Sequence, residues 1–257
     1  MEPIAATAVP SPSVEPISRE PLHPVTRPVM TMRWDRLSYL HWSVAPELVQ
    51  AQLPVGLTAD LHGGRAWVGL IPFVMGGIRA AGRVPLPQGT FPETNVRTYV
   101  VGPDGGRGIY FHSLDITHLA PTAVARGGYR LPYCWSRMHV SRRGEQMGYL
   151  ARRRWPAPAG ATSRVIVRVG ARVPDPRISP LDDFLSARWA LYAATPSGGL
   201  LRARVSHEPW PLREAELSVC QDAFTTAAGY DVADRPPDHV RYGGDVTVNV
   251  GPPQRVA

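Results

Sequence analysis

Lysine is absent from this sequence: all 28 of its Lys-plus-Arg positions are arginine. That excludes a lysine Schiff base, a P-loop lysine and a lysine general base. Cysteine is scarce, and Cys134 and Cys220 lie far apart. Two such thiols exclude a disulfide framework and a cysteine-rich zinc fold. No apolar run reaches the length of about 18 residues that a membrane-spanning helix needs. A basic start followed by an apolar stretch is also missing, so no secretory signal and no membrane partner are expected. A cytoplasmic location follows by default, and reduced thiols suit it.

What remains is a globular composition. Hydrophobic residues make up 44% of 257, enough for one large core or two small ones. The net charge of +7 is basic. No zinc finger, RNP-like aromatic motif or helix-turn-helix supports nucleic-acid binding, so none is expected. The runs Arg142-Arg143 and Arg152-Arg153-Arg154 lie either side of Gly144. They are expected at the two ends of one hairpin, on its solvated edges.

Residues 1–30 hold seven of the 28 prolines and little that packs. They read as a disordered leader, with Met30 and Met32 as alternative starts, and residues 31–257 as a single domain. Pro46 suits the first turn of a helix running to about Leu53, which Pro54-Val55-Gly56 stops. Strands are expected at 65–73, 95–101, 108–114, 165–169, 200–207 and 244–250, and a hairpin at 135–142 and 146–155. Ser179, Pro180, Asp182 and Asp183 begin a helix expected over 180–192, and a short helix is expected near 221–228. Many strands with few helices argue an α+β, mainly β fold: one largely antiparallel sheet or barrel with a few flanking helices.

Several strings carry more information together. They are Leu40-His41-Trp42, Gly64-Arg65-Ala66-Trp67-Val68-Gly69-Leu70, Phe91-Pro92-Glu93-Thr94-Asn95-Val96-Arg97-Thr98-Tyr99-Val100, Phe111-His112-Ser113-Leu114-Asp115, and His207-Glu208-Pro209-Trp210-Pro211-Leu212. In this order, over about 31–250, the chain resembles the DUF2071 (YqjF-like) family of unknown function, and more distantly the acetoacetate decarboxylase superfamily. The resemblance implies a curved, mostly antiparallel sheet closing on a central cavity. In acetoacetate decarboxylases a glutamate precedes a segment whose lysine forms an imine. Glu93 looks like that glutamate, and Ala125 to Pro132 looks like the later segment, with Tyr133 and Cys134 where lysines would stand. Imine chemistry needs an amine that can be neutral near pH 7, which arginine is not. Acetoacetate decarboxylase activity through a Schiff base is therefore not expected.

Period two places Glu93, Asn95 and Arg97 on one strand face, with Tyr99 continuing it. This polar stripe is the candidate site. Arg97 would take the carboxylate of a small organic ligand, Glu93 would serve as acid or base, and Asn95, Tyr99 and Tyr133 would help bind. A strut between strands is the structural alternative. The histidines show no metal-ligand spacing, and no metal or cofactor is expected. His112 and Asp115, at odd spacing, are expected on opposite faces. Three functions stay open: a lysine-independent enzyme, a non-catalytic binding or sensing protein, and a surface interaction protein using its arginine-rich edges.

Overall fold

A computed structural model describes residues 13–81, 83–87, 89–118 and 131–256. Its elements are β1 (Met30–Val44), α1 (Pro46–Gln50), β2 (Thr58–Ala59), β3 (Ala66–Ala80), β4 (Val84–Pro85), β5 (Phe91–Val101), β6 (Arg107–Ile116), β7 (Tyr133–Arg143), β8 (Gln146–Trp155) and β9 (Thr162–Arg172). Then follow α2 (Pro180–Ser186), β10 (Ala190–Ala194), β11 (Leu200–Ser206), β12 (Arg213–Asp222), α3 (Phe224–Ala227) and β13 (His239–Val256). The mainly β expectation holds, and all thirteen strands join one sheet.

The pairings close two circuits that share a wall. The smaller runs β5–β6–β10–β11–β13–β1–β3 and back to β5. The larger runs β6–β7–β8–β9–β12–β13–β1–β3–β5 and back to β6. Most neighbours are antiparallel; β6 pairs in parallel with β7 and β10. Because strand side chains alternate, β1, β3 and β5 send one set into each circuit. Leu40, Trp42, Val68, Leu70 and Val96 enter a core with Met147, Tyr149, Val165 and Val167 from the larger circuit. Tyr39, Ile71, Phe73 and Met75 face the smaller circuit with Val205, Val246 and Val248.

Local chemistry explains the helix starts and stops. Pro46 opens α1 at its first position. Ser179 caps α2: its hydroxyl accepts the Asp182 N–H at 3.1 Å, while the Asp182 carboxylate accepts the Ser179 N–H at 2.9 Å. The helix expected over 180–192 closes at Ser186, because residues 190–194 pair with β6 and β11 instead. Arg188 and Trp189, inside the expected helix, therefore lie beyond its end.

The leader also differs from expectation where it is described. Residues 13–29 lack regular structure, yet they are tied to the domain. Glu15 pairs with Arg202 at 3.0 Å and Arg19 with Asp183 at 2.9 Å. Trp189 donates its indole N–H to the Ser18 carbonyl at 2.8 Å, and the Val29 N–H reaches the Val250 carbonyl at 2.9 Å. These partners lie far away in sequence, so composition alone could not reveal them. No helix among the described residues is long and apolar enough to cross a membrane.

Candidate functional site

A cavity of about 70 Å³ lies inside the smaller circuit. Every strand of that circuit supplies a wall: Trp34 and Leu37 from β1, Phe73 from β3, Glu93, Asn95 and Arg97 from β5, Phe111 from β6, Leu191 from β10, Val205 from β11 and Val250 from β13. Tyr133, at the start of β7, completes it. A water needs about 10–15 Å³ of such space, so the cavity has room for a few waters or a small organic molecule.

The structure brings Glu93, Asn95 and Arg97 together as the period-two pattern requires, and all three are buried. Tyr133 joins them across the cavity. Tyr99 does not line it; it stands behind Arg97 as a support. Its hydroxyl donates to the Leu185 carbonyl at 2.9 Å and accepts from Arg97 Nη2 at 3.2 Å. Arg97 Nη2 also donates to the Leu185 carbonyl at 3.1 Å. The guanidinium lies 5.5 Å from the centroids of Tyr39 and Tyr99. No carboxylate among the described residues pairs with Arg97. Its hydrogen-bond partners are the Leu185 carbonyl and the Tyr99 hydroxyl, not a carboxylate.

Glu93 is hydrogen-bonded to Asn95, but burial dominates and pushes its pKa up to about 8. At neutral pH it is a carboxylic acid, able to donate as well as accept. Burial, followed by the neighbouring Glu93, pushes the Tyr133 phenol well above its usual range. Trp34 Nε1, Glu93 Oε2, Asn95 Oδ1 and Arg97 Nε are all buried without a hydrogen-bond partner. All four belong to residues of the cavity wall. Buried polar atoms are nearly always paired, so these four are exceptions gathered on the residues of one otherwise largely apolar wall.

Sequence reasoning missed three contributors. Trp34 precedes a register shift in β1 where Arg36 adopts φ 52°; nothing in the string signals that irregularity. His41 is fully buried, 2.6 Å from the Tyr99 hydroxyl through Nε2. Since that hydroxyl donates to Leu185, His41 Nε2 must carry the hydrogen it donates. Burial first, then His239 and Arg97, holds its pKa well below the usual value, so the ring is neutral. Gly69 sits opposite, where a Cβ would meet His41 Nε2 at 2.8 Å. Arg188 lies 4.8 Å from the Tyr99 ring centroid and pairs with Asp60 at 2.6 Å.

Elsewhere the expectations divide. The β7–β8 hairpin forms, but Arg153 is not on a solvated edge: it is buried and pairs with Asp115 at 2.6 Å. The Asp115 carboxylate also accepts from Ser136 at 2.7 Å. A register shift between β5 and β6 breaks simple alternation beside His112, which meets the Tyr230 hydroxyl at 2.9 Å. Cys134 is buried, as a small apolar thiol usually is. Residues 125–130, the expected counterpart of the lysine segment, lie outside the described residues. Among the described residues no three His, Cys, Asp or Glu side chains converge as metal ligands.

Known proteins agree with this architecture. The structure is similar to an acetoacetate decarboxylase-like enzyme from Sphingomonas wittichii RW1, with a TM-score of 0.61 and 14% identity over 89% of this chain and 93% of that one. It is similar to an acetoacetate decarboxylase from Legionella pneumophila, with a TM-score of 0.60 and 12% identity over 99% and 98%. It is also similar to the enduracididine biosynthesis enzyme MppR complexed with pyruvate, with a TM-score of 0.62 and 13% identity over 91% and 92%. These identities speak to the fold alone. In sequence, the chain is 31% identical over 212 residues to the uncharacterized protein YqjF of Bacillus subtilis (strain 168), covering 81% of this chain and 85% of that protein. The model of DUF2071, described as an uncharacterized conserved protein, matches residues 31–246, and the chain belongs to that family, built on an acetoacetate decarboxylase-like fold.

Proposed function

We propose that the protein binds a small organic acid in the cavity of the smaller circuit, without forming an imine to any of its side chains. One observation carries this reading: four unpartnered polar atoms converge on a chamber whose other walls are apolar. Arg97 supplies the positive charge, with its Nε unpartnered and no carboxylate among the described residues to neutralise it. Glu93, protonated at neutral pH, and the Trp34 indole add two neutral donors. Three donors around one charge suit a carboxylate with a second acceptor beside it, such as an oxo acid. Acetoacetate and pyruvate, which appear in the names of the structural neighbours, are of that class.

Glu93 is also the group placed for chemistry. A carboxyl with a pKa of about 8 can give its proton to a developing oxyanion or carbanion near neutral pH. That supports an enzyme of general-acid type in which the absent lysine plays no part. The second reading is a binding or sensing protein without turnover, supported by the same lack of lysine. A cytoplasmic setting fits either one, since Cys134 and Cys220 are not joined in a disulfide.

Calorimetric titration with pyruvate and acetoacetate, set against pyruvamide, tests the binding reading. One saturable site is expected for the acids, with the amide at least roughly tenfold weaker because it forfeits the charge-assisted contact. Equal affinity for acid and amide, or no binding of any short oxo acid, would refute it. Product analysis of the bound acids then separates turnover from sensing.

A further inference from the structure

We propose a second, separate binding site: a surface cleft between β7, β9, β12 and β13 that takes an organic phosphate carrying at least two negative charges. The cleft measures about 310 Å³, larger than the central cavity, and Arg142, Arg172 and Arg213 line it with Pro211 and Tyr242. Arg172 and Arg213 are directly opposite each other in the β9–β12 ladder. Like charges in that position destabilise a sheet, so the fold alone gives no reason for the pairing.

The three guanidinium groups are not neutralised from within. Among the described residues none of them forms an ion pair. One carboxylate, Asp245, lines the cleft, and Arg33 already holds it at 2.9 Å. Two of the arginines are instead tethered to backbone. Arg142 donates Nε to the Gly144 carbonyl at 3.1 Å, and Arg213 donates Nε to the Gly170 carbonyl at 2.9 Å. Both tethers use Nε and leave the terminal nitrogens for a ligand. A planar fork fixed in this way is prepared for a phosphate's oxygens at reduced entropic cost. Pro211, Val169 and Tyr242 give the cleft an apolar part, which favours an organic phosphate over the bare ion.

The test uses the full chain and two probes, inorganic pyrophosphate and adenosine 5′-diphosphate, titrated at low and moderate salt. Saturable one-to-one binding is expected, tighter for the nucleotide. Arg172→Gln and Arg213→Gln should each weaken it roughly tenfold. Arg137 and Arg152 form another opposed pair, on β7 and β8; their double Gln variant should change affinity less than about twofold. Without ligand, Arg172→Gln should raise the thermal midpoint, because it relieves repulsion. Arg97→Met should leave pyrophosphate binding intact, so failure of the central-cavity reading would not be confused with failure of this one. Equal losses in the cleft and control variants would overturn the proposal. So would binding of single-stranded oligonucleotide with no saturable binding of either probe.

Discussion

The two circuits treat polar groups in opposite ways, though they share β1, β3 and β5. In the larger circuit the buried ion pair is answered within the protein. Asp115 holds Arg153 through both oxygens and also takes the Ser136 hydroxyl. Ser38 meets the Tyr149 hydroxyl at 2.9 Å, and that hydroxyl donates to the Arg36 carbonyl. In the smaller circuit Arg97 has no carboxylate partner among the described residues, and burial favours the protonated form of Glu93. A side that only has to be stable satisfies itself, because an unanswered buried charge costs several kcal/mol. On the function proposed above, the unanswered side takes its partner from a ligand. The contrast is sharpest on β5, where Val96 packs into the dry core while Asn95 and Arg97 face the chamber.

The largest effect should come from breaking the answered side. Asp115→Ala leaves Arg153 buried without its partner and should cost about 3–5 kcal/mol in urea unfolding. A loss below 1 kcal/mol would mean that the pair is not the strut described.

Next comes pH on the unanswered side. In the unfolded chain Glu93 ionises near its ordinary value of 4.5, while in the folded protein it stays protonated up to about 8. Between these values the folded state holds the extra proton, so rising pH favours unfolding. At about 1.4 kcal/mol per pH unit the cost by pH 8 is of the order of 4 kcal/mol. Relative to wild type, Glu93→Gln should therefore gain stability steadily from pH 5 to 8. Parallel stability curves for the two proteins over that range would show that Glu93 ionises normally.

A smaller effect belongs to neither circuit. Deleting residues 1–27 removes the contacts of Glu15, Arg19 and Ser18, and should lower stability by roughly 1–2 kcal/mol, since partly exposed ion pairs are individually weak. An unchanged thermal midpoint would restore the expectation of a leader without structure.

The contrast also explains what the sequence could reveal. Period two on β5 is legible because Glu93, Asn95 and Arg97 fall two residues apart in the strand, and alternation alone puts them on one face. The Ser179 cap was legible because its chemistry is complete within four residues. The end of α2 was not, because β6 and β11 decide it from far away in the chain. Arg153 looked like part of a solvated run, since nothing next to it in sequence identifies Asp115 as its partner. Trp34 and His41 reach the site through a β1 irregularity and a close approach at Gly69, both set by tertiary packing. The closure of two circuits depends on β13 pairing with β1, β11 and β12 along its length, which no local pattern encodes.

Arg97→Met puts the whole comparison into one variant, with unfolding free energy and oxo-acid affinity measured on the same protein. The Leu185 carbonyl keeps the Tyr99 hydroxyl at 2.9 Å, so removing the guanidinium strands no carboxylate among the described residues and leaves that acceptor satisfied. The expected result is stability within about 1 kcal/mol of wild type or higher, with affinity for pyruvate reduced at least roughly tenfold. A loss of 3 kcal/mol or more of the kind expected for Asp115→Ala, with pyruvate affinity unchanged, would make Arg97 a strut and contradict the account.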